Sequence, residues 1–140
     1  MKKLIIIICS FFVFGCGLQS SDISQLEGFW EIQSVKTDGK VVKTFKASFN
    51  IDHYAFGDSL SGVFQKVVPQ FDGNFKASEN QSVFSIRKED HRWWIHQKTL
   101  IDSFRMQVVT LTNDKLILRK DSTTTEYTYR RFEPIMLQEE

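Results

Sequence analysis

The chain is poor in residues that cross-link or interrupt a fold. Its 140 residues include two cysteines, Cys9 and Cys16, and two prolines, Pro69 and Pro134. Cys9 lies inside an apolar N-terminal run, and Cys16 follows that run directly. No cysteine comes later in the chain, so a domain after Cys16 cannot contain a disulfide. Its stability must therefore come from a packed core.

The chain also lacks an excess of charge of one sign. It has 18 basic and 17 acidic residues, mixed along the sequence, for a formal net charge of +1. A nucleic-acid surface would show a strong positive bias. The composition therefore predicts no nucleic-acid partner.

No apolar run in the sequence is long enough to cross a bilayer as a helix. The N-terminal run, Leu4–Phe14, has eleven residues, whereas a spanning helix needs about 20. Lys2 and Lys3 precede this run, and the small residue Gly15 follows it. A basic start, a short apolar run and a small residue are typical of a secretory signal peptide. Residues 1–15 are therefore predicted to be removed.

The end of this segment, Val13-Phe14-Gly15-Cys16, resembles the lipobox of bacterial lipoproteins. The resemblance implies cleavage before Cys16 and lipidation of that cysteine, with palmitate among the acyl chains, as a membrane anchor. The alternative is an ordinary signal peptide cut elsewhere. If cleavage occurs before Cys16, residues 16–25 are the lipidated cysteine and a polar tether. The residue after Cys16 is Gly17 and not aspartate, and the resemblance to lipoproteins of enteric bacteria then implies the outer membrane of a Gram-negative envelope. Whether the domain faces the periplasm or the cell exterior stays open.

Residues 26–140 predict one all-β domain. Short runs of β-branched and aromatic residues alternate with turn residues, and Asp38-Gly39 is a strong hairpin signal. From residue 45 to Asp52 the apolar side chains alternate with polar ones, which predicts a strand with Asp52 in solvent. Nine runs with short links favour an up-and-down meander that closes on itself. The nine predicted strands are 29–36, 41–52, 63–68, 74–78, 83–87, 92–97, 103–111, 116–120 and 124–132. Residues 54–62 are less regular and are predicted to form a loop or a helical turn.

Three stretches resemble the lipocalin-like domains of many bacterial lipoproteins. They are Leu26–Trp30 with its Gly-x-Trp pattern, Met106–Leu118 with its strand, turn and Leu-x-Leu strand, and Tyr127–Arg131. The resemblance implies a small antiparallel up-and-down β-barrel of 8–9 strands. It also implies that the first-strand Trp30 closes one end and that an arginine of the last strand covers it. Arg131 shares its strand phase with Tyr127 and is the expected partner, rather than Arg130.

The sequence contains no pattern that predicts catalysis, a metal or a cofactor. His91 and His96 have opposite parity on one strand and cannot chelate together, and His53 has no evident neighbour. No convergent polar triad is evident, so we predict that the protein is not an enzyme. Trp93 and Trp94 are adjacent, so one should face inward and the other outward.

The leading hypothesis is non-catalytic binding of a small hydrophobic ligand in an apolar pocket of the barrel. The second hypothesis is an envelope interaction or structural module, whose interior is filled by its own side chains. An empty cavity would favour the first and a packed interior the second. The candidate pocket residues are Phe45, Phe49, Phe84, Ile86, Phe104 and Met106, with Tyr129 as a polar handle.

Overall fold

The computed structural model describes residues 23–134. They form one 3-10 turn, Ser24–Leu26, and nine strands joined mostly by short links. The strands are β1 (Gly28–Thr37), β2 (Lys40–Thr44), β3 (Ile51–Phe56), β4 (Ser61–Pro69), β5 (Phe75–Glu89), β6 (Arg92–Lys98), β7 (Ser103–Leu111), β8 (Lys115–Lys120) and β9 (Glu126–Arg131).

Eight of these strands close into an antiparallel barrel, which confirms the predicted fold. Strands β3 to β9 follow one another in order, and β1 completes the circle by pairing with both β3 and β9. Closure leaves these strands without the unpaired edges that an open sheet would expose. The ninth strand, β2, pairs only with the second half of β1.

The prediction of a single strand over residues 41–52 is wrong. β2 ends at Thr44, and β3 begins only at Ile51. The intervening loop is held by hydrogen bonds that replace a ladder. The Ser48 amide donates to Glu31 Oε1 at 3.0 Å, and the Ser48 hydroxyl donates to the Asn50 carbonyl at 2.8 Å. Serine and asparagine favour such local bonds over regular structure, which sequence alternation alone does not detect.

Two other predicted elements differ from the structure. The segment 54–62, predicted as a loop or helical turn, contains the second half of β3 and a turn before β4. The runs at 74–78 and 83–87 are parts of one fifteen-residue strand, β5. The polar residues between them form an irregularity opposite β4, where Val67 pairs with Ala77 and Gln65 with Gln81. Such a bulge bends a strand without ending it.

The predicted turns at Asp38-Gly39 and Asp72-Gly73 are confirmed. Asp38 and Gly39 have φ values of 52° and 74°, and Gly73 has a φ of 82°. Two successive positive φ angles are those of the tight hairpin turn that suits twisted antiparallel strands.

The barrel interior is filled with apolar and aromatic side chains from every strand except β2 and β4, which contribute none that is fully buried there. All nine strands, the closure and this core lie within residues 23–134. A chain that begins at Gly17 therefore carries the whole fold. The buried members of the core are Ile23, Leu26, Trp30, Tyr54, Phe84, Ile86, Trp93, Ile95, Val108, Leu111, Leu116, Leu118 and Tyr129.

Within the described residues, no helix is long and apolar enough to cross a membrane.

Candidate functional site

One end of the barrel is closed by Trp30 and the N-terminal turn. Trp30 is fully buried, and its indole Nε1 donates a hydrogen bond to the Leu26 carbonyl at 2.8 Å. Ile23 and Leu26 are also fully buried beside it. A buried indole needs such a partner for its N–H, so this bond fixes the turn against the first strand.

Arg131 lies over the outer side of this plug, as the sequence predicted. Its guanidinium carbon is 3.9 Å from the centroid of the Trp30 ring. Its nitrogens donate to the carbonyls of Gln25, Glu27 and Asn113 at 2.5, 2.6 and 2.9 Å. One side chain thus joins the N-terminal turn, the β7–β8 link and β9. Burial of the guanidinium lowers the pKa of Arg131.

The neighbouring Arg130 points away from the barrel interior. Its Nε lies 2.7 Å from Glu31 Oε2, across the β1–β9 ladder. The other Glu31 oxygen accepts the Ser48 amide. Adjacent residues of a strand face opposite sides. Arg131 therefore covers Trp30 at the closed end, whereas Arg130 pairs with Glu31 on the outer face.

Three of the predicted pocket residues belong to the packed core. Phe84 is 3% exposed, Ile86 4% and Tyr129 9%. The Phe84 ring meets Tyr54 and Phe56 edge to face, with centroids 5.4 Å apart in each case. Side chains with so little exposed surface cannot form the walls of a deep cavity, so they form a packed floor beneath the open end.

Two predicted pocket residues are not on the inner face. Phe45 and Phe49 lie in the loop between β2 and β3, and Phe49 is 82% exposed. Phe45 has the Lys43 ammonium 4.6 Å from its ring centroid. The inward assignment failed because it assumed one continuous strand, and side-chain parity has no meaning across a loop.

Half-buried inward side chains continue from the core to the open end. Met106 is one of them, and Phe104, at the start of the same strand, is 40% exposed. Both residues share the strand parity of the core residue Val108, and their contact with a ligand stays a prediction. The other partly buried apolar side chains that pack against the core are Ile32, Phe56, Leu60, Phe64 and Tyr127. Partial exposure of large apolar side chains on an inner face is typical of a binding mouth.

A charged group lies inside this wall, where the sequence pattern predicted solvent. Asp52 is 7% exposed, and its Oδ1 accepts a hydrogen bond from Lys66 Nζ at 2.7 Å. Burial, followed by the negative charge of Asp52, raises the pKa of the Tyr129 hydroxyl well above its usual range. The expectation of an exposed Asp52 is wrong. Its cross-strand partner Trp30 is an inward residue, and only that pairing reveals the phase of β3.

A second buried polar pair faces the same interior. Gln97 Nε2 donates to the Ser82 hydroxyl at 2.8 Å, and both residues are 7% exposed. Gln97 and Phe84 are direct partners on β6 and β5, so this pair lies at the level of the aromatic floor. Polar groups at this depth offer hydrogen bonds to a bound molecule as well as to each other.

The two adjacent tryptophans face opposite ways, as predicted. Trp93 is 6% exposed and belongs to the core, whereas Trp94 points outward beneath Arg105, whose guanidinium carbon is 4.3 Å from the indole centroid. Across residues 23–134, no three His, Cys, Asp or Glu side chains come together in a geometry that could hold a metal ion. Cys16 lies outside the described residues.

Comparisons with known proteins find one matching family and two similar solved structures. The family described as "Lipocalin-like domain" matches residues 26–118. A lipocalin-like protein from Bacteroides uniformis is similar in structure, with 14% sequence identity and a TM-score of 0.48. The match covers 77% of this chain and 99% of that one. An uncharacterized protein from Bacteroides eggerthii has the same identity and TM-score, over 76% of this chain and 99% of its own. No curated protein matches the sequence. The family match covers more than half of the chain, which therefore belongs to the lipocalin-like domain family.

Proposed function

We propose that this protein is a lipid-anchored component of the bacterial cell envelope whose barrel binds a small apolar ligand at its open end, without catalysis. The anchor is the acylated Cys16, and the membrane is the outer membrane of a Gram-negative cell. The ligand's apolar body contacts the partly exposed inward side chains at the open end of the barrel, which include Met106 and Phe104. This set of side chains is called the inner ring. A polar end of the ligand reaches the Lys66 ammonium, the exposed partner of the buried Asp52.

The single observation that carries this proposal is the partly exposed inner ring above a packed floor. A barrel that served only as a scaffold would gain stability by burying these side chains fully. The buried Asp52 carboxylate supports the same reading. Placing a charge in a barrel wall costs free energy unless it is paired, and Lys66, which pairs with it, keeps 55% of its own side chain exposed. An exposed ammonium beside apolar walls suits an amphipathic molecule with an acidic or hydroxyl end.

A second candidate function is the interaction module, and two observations favour it. The barrel interior is filled by its own side chains, which is the outcome that this hypothesis predicts. Several large apolar side chains outside the barrel are almost fully exposed. They are Phe49 at 82%, Phe71 at 98%, Leu100 at 99% and Ile101 at 97%. Exposed apolar groups of this size mark surfaces that other molecules cover. In this alternative the packed floor only supports the loops.

Titration with an environment-sensitive fatty-acid probe distinguishes the two functions. The chain from Gly17 onward should bind the probe saturably, and Met106→Glu, which places a charge on the inner ring, should weaken binding at least about tenfold. Phe49→Glu is the matched control, because the same charge then enters an exposed loop. Absence of saturable binding, or equal binding by both variants, would favour the interaction module. Native mass spectrometry of the protein purified from its host would reveal a retained ligand directly.

A further inference from the structure

An open groove of about 740 Å³ lies on the outer wall of the barrel, over β4 to β7. The inward residues of these strands include Phe84, Ile86 and Ile95. Most of the groove's side chains have the opposite parity and face away from the core. Among them are Val63, Val83, Ser85, Arg87, His96 and Lys98. The inward residues Phe84, Gln97 and Phe104, which lie between them on the same strands, also contribute to the lining of the groove. The charged side chains of the groove therefore lie on the outer face of the sheet, although Phe104 borders both the groove and the barrel mouth.

The acidic residues beside the groove are already engaged. Asp121 accepts a hydrogen bond from Arg105 Nε at 2.7 Å, and Glu89 accepts one from Arg105 Nη1 at 2.8 Å. The second Glu89 oxygen lies 2.9 Å from His96 Nε2. These bonds, with the Trp94 ring beneath the guanidinium, hold Arg105 as one rigid wall of the groove. The hydrogen bond between Arg105 and Asp121 is the main reason that the pKa of Arg105 is raised and the pKa of Asp121 is lowered.

Arg87 and Lys98 line the groove but take no part in the hydrogen bonds around Arg105. Within residues 23–134, neither of them has a carboxylate within ion-pair distance. Lys98 pairs with Val83 and His96 with Ser85, so Arg87 and Lys98 stand on either side of the Ser85–His96 pair. Four residues of strand separate Arg87 from Val83, which is roughly 13 Å. Both side chains have long flexible stems and can converge over Ser85.

We propose that this groove is a binding site for a small organic phosphate ester. The planar guanidinium of Arg87 can hold two phosphate oxygens, and the Lys98 ammonium supplies a point charge. The Ser85 hydroxyl lies between them and can donate to a third oxygen. Val63 and Val83 offer apolar surface to the carbon part of the ester, since Val83 is 57% exposed. The residues that would hold the phosphate, Arg87, Lys98 and Ser85, take no part in the proposed barrel mouth or the lipid anchor.

The test is NMR titration of the chain from Gly17 onward with glycerol 3-phosphate, inorganic phosphate and succinate. Glycerol 3-phosphate should shift the amide signals of β5 and β6 around Ser85 and His96 saturably, with a Kd of about 1 mM or tighter. Inorganic phosphate should shift the same signals more weakly. Succinate, which carries carboxylates only, should bind more weakly than the ester. Absence of saturable shifts, shifts confined to other strands, or tighter binding of succinate would overturn the proposal.

Variants identify the residues that carry the binding. Arg87→Gln and Lys98→Gln should each weaken glycerol 3-phosphate binding about tenfold, because each removes a charge-assisted contact. Lys115→Gln is the matched control, since it removes an exposed positive charge at the start of β8, outside the groove. Both groove variants are exposed and should melt at the temperature of the parent chain. An equal loss in all three variants would indicate only nonspecific attraction and would overturn the assigned site.

Discussion

The Arg131 guanidinium lies 3.9 Å from the Trp30 ring centroid, and the two residues are direct partners in the β1–β9 ladder. The contact joins the first and last strands of the domain, which are 101 positions apart in the chain. It covers the closed end of the barrel. It also ties three backbone segments together through the hydrogen bonds of Arg131.

Replacement of Trp30 should destabilise the barrel strongly. Trp30→Ala deletes a fully buried indole and the bond that holds the N-terminal turn. We expect a loss of about 3–5 kcal/mol in the free energy of unfolding. Chemical denaturation of the chain from Gly17 onward measures it. A loss below about 1 kcal/mol, the range of an ordinary surface substitution, would contradict the closing role of Trp30.

The two neighbouring arginines should differ in their contribution to stability. Arg131→Ala removes a cation–π contact and three hydrogen bonds to carbonyls, whereas Arg130→Ala removes one ion pair whose arginine side is 53% exposed. We expect about 2–3 kcal/mol for Arg131 and about 1 kcal/mol for Arg130. Thermal melts of both variants decide the order. If Arg130→Ala proves the costlier change, the ion pair with buried Glu31 outweighs the plug.

A side chain at Gly28 should destabilise the protein. Its φ of +121° is accessible almost only to glycine, and an added Cβ would lie 2.7 Å from Arg131 Nη1. Gly28→Ala should therefore cost about 1–3 kcal/mol through backbone strain and displacement of the guanidinium. Gly39→Ala is a useful comparison, because nothing lies within 4 Å of its added Cβ although its φ of +74° is also positive. A Gly28 variant no less stable than the Gly39 variant would show that the contact with Arg131 has no energetic weight.

Stability should fall at alkaline pH because buried tyrosines resist ionisation. Burial raises the pKa of Tyr129 and of Tyr54, and the charge of Asp52 raises both further. The folded state therefore binds phenolic protons more tightly than the unfolded chain does. This contribution is fully present below about pH 10, the pKa of an unfolded tyrosine, and is lost as the pH rises above it. Urea denaturation from pH 8 to 11 measures the slope, which Tyr129→Phe should reduce. An unchanged slope in that variant would contradict the assignment.

Lipidation at Cys16 is tested in a bacterial host with labelled palmitate. The wild-type precursor should incorporate label and partition into detergent. Cys16→Ala should incorporate none, because the thiol that carries the acyl chain is absent. Incorporation by the alanine variant would contradict the anchor, and the serine-rich tether after Cys16 would then be the place to seek another modification.

The sequence alone determined the parts of this protein that depend on local chemistry. Turn residues at Asp38-Gly39 and Asp72-Gly73, β-branched runs and the spacing of three motifs were enough to predict a closed antiparallel barrel. The resemblance to lipocalin-like domains implied a contact between Trp30 and an arginine of the last strand, and parity along that unbroken strand selected Arg131 over Arg130. Met106 and Phe104 were placed on the inner face by the same reasoning.

Only the tertiary structure decided which face of an interrupted segment points inward. Between Thr44 and Ile51 a loop resets the phase, so Phe49 lies in solvent while Asp52 enters the barrel beside Lys66 and Tyr129. The loop is held by Glu31, a residue 17 positions from Ser48, and no local pattern encodes such a bond. The outer groove has the same origin. Residues of four strands become neighbours only when the sheet forms, because strand pairing is set by long-range register rather than by neighbouring residues.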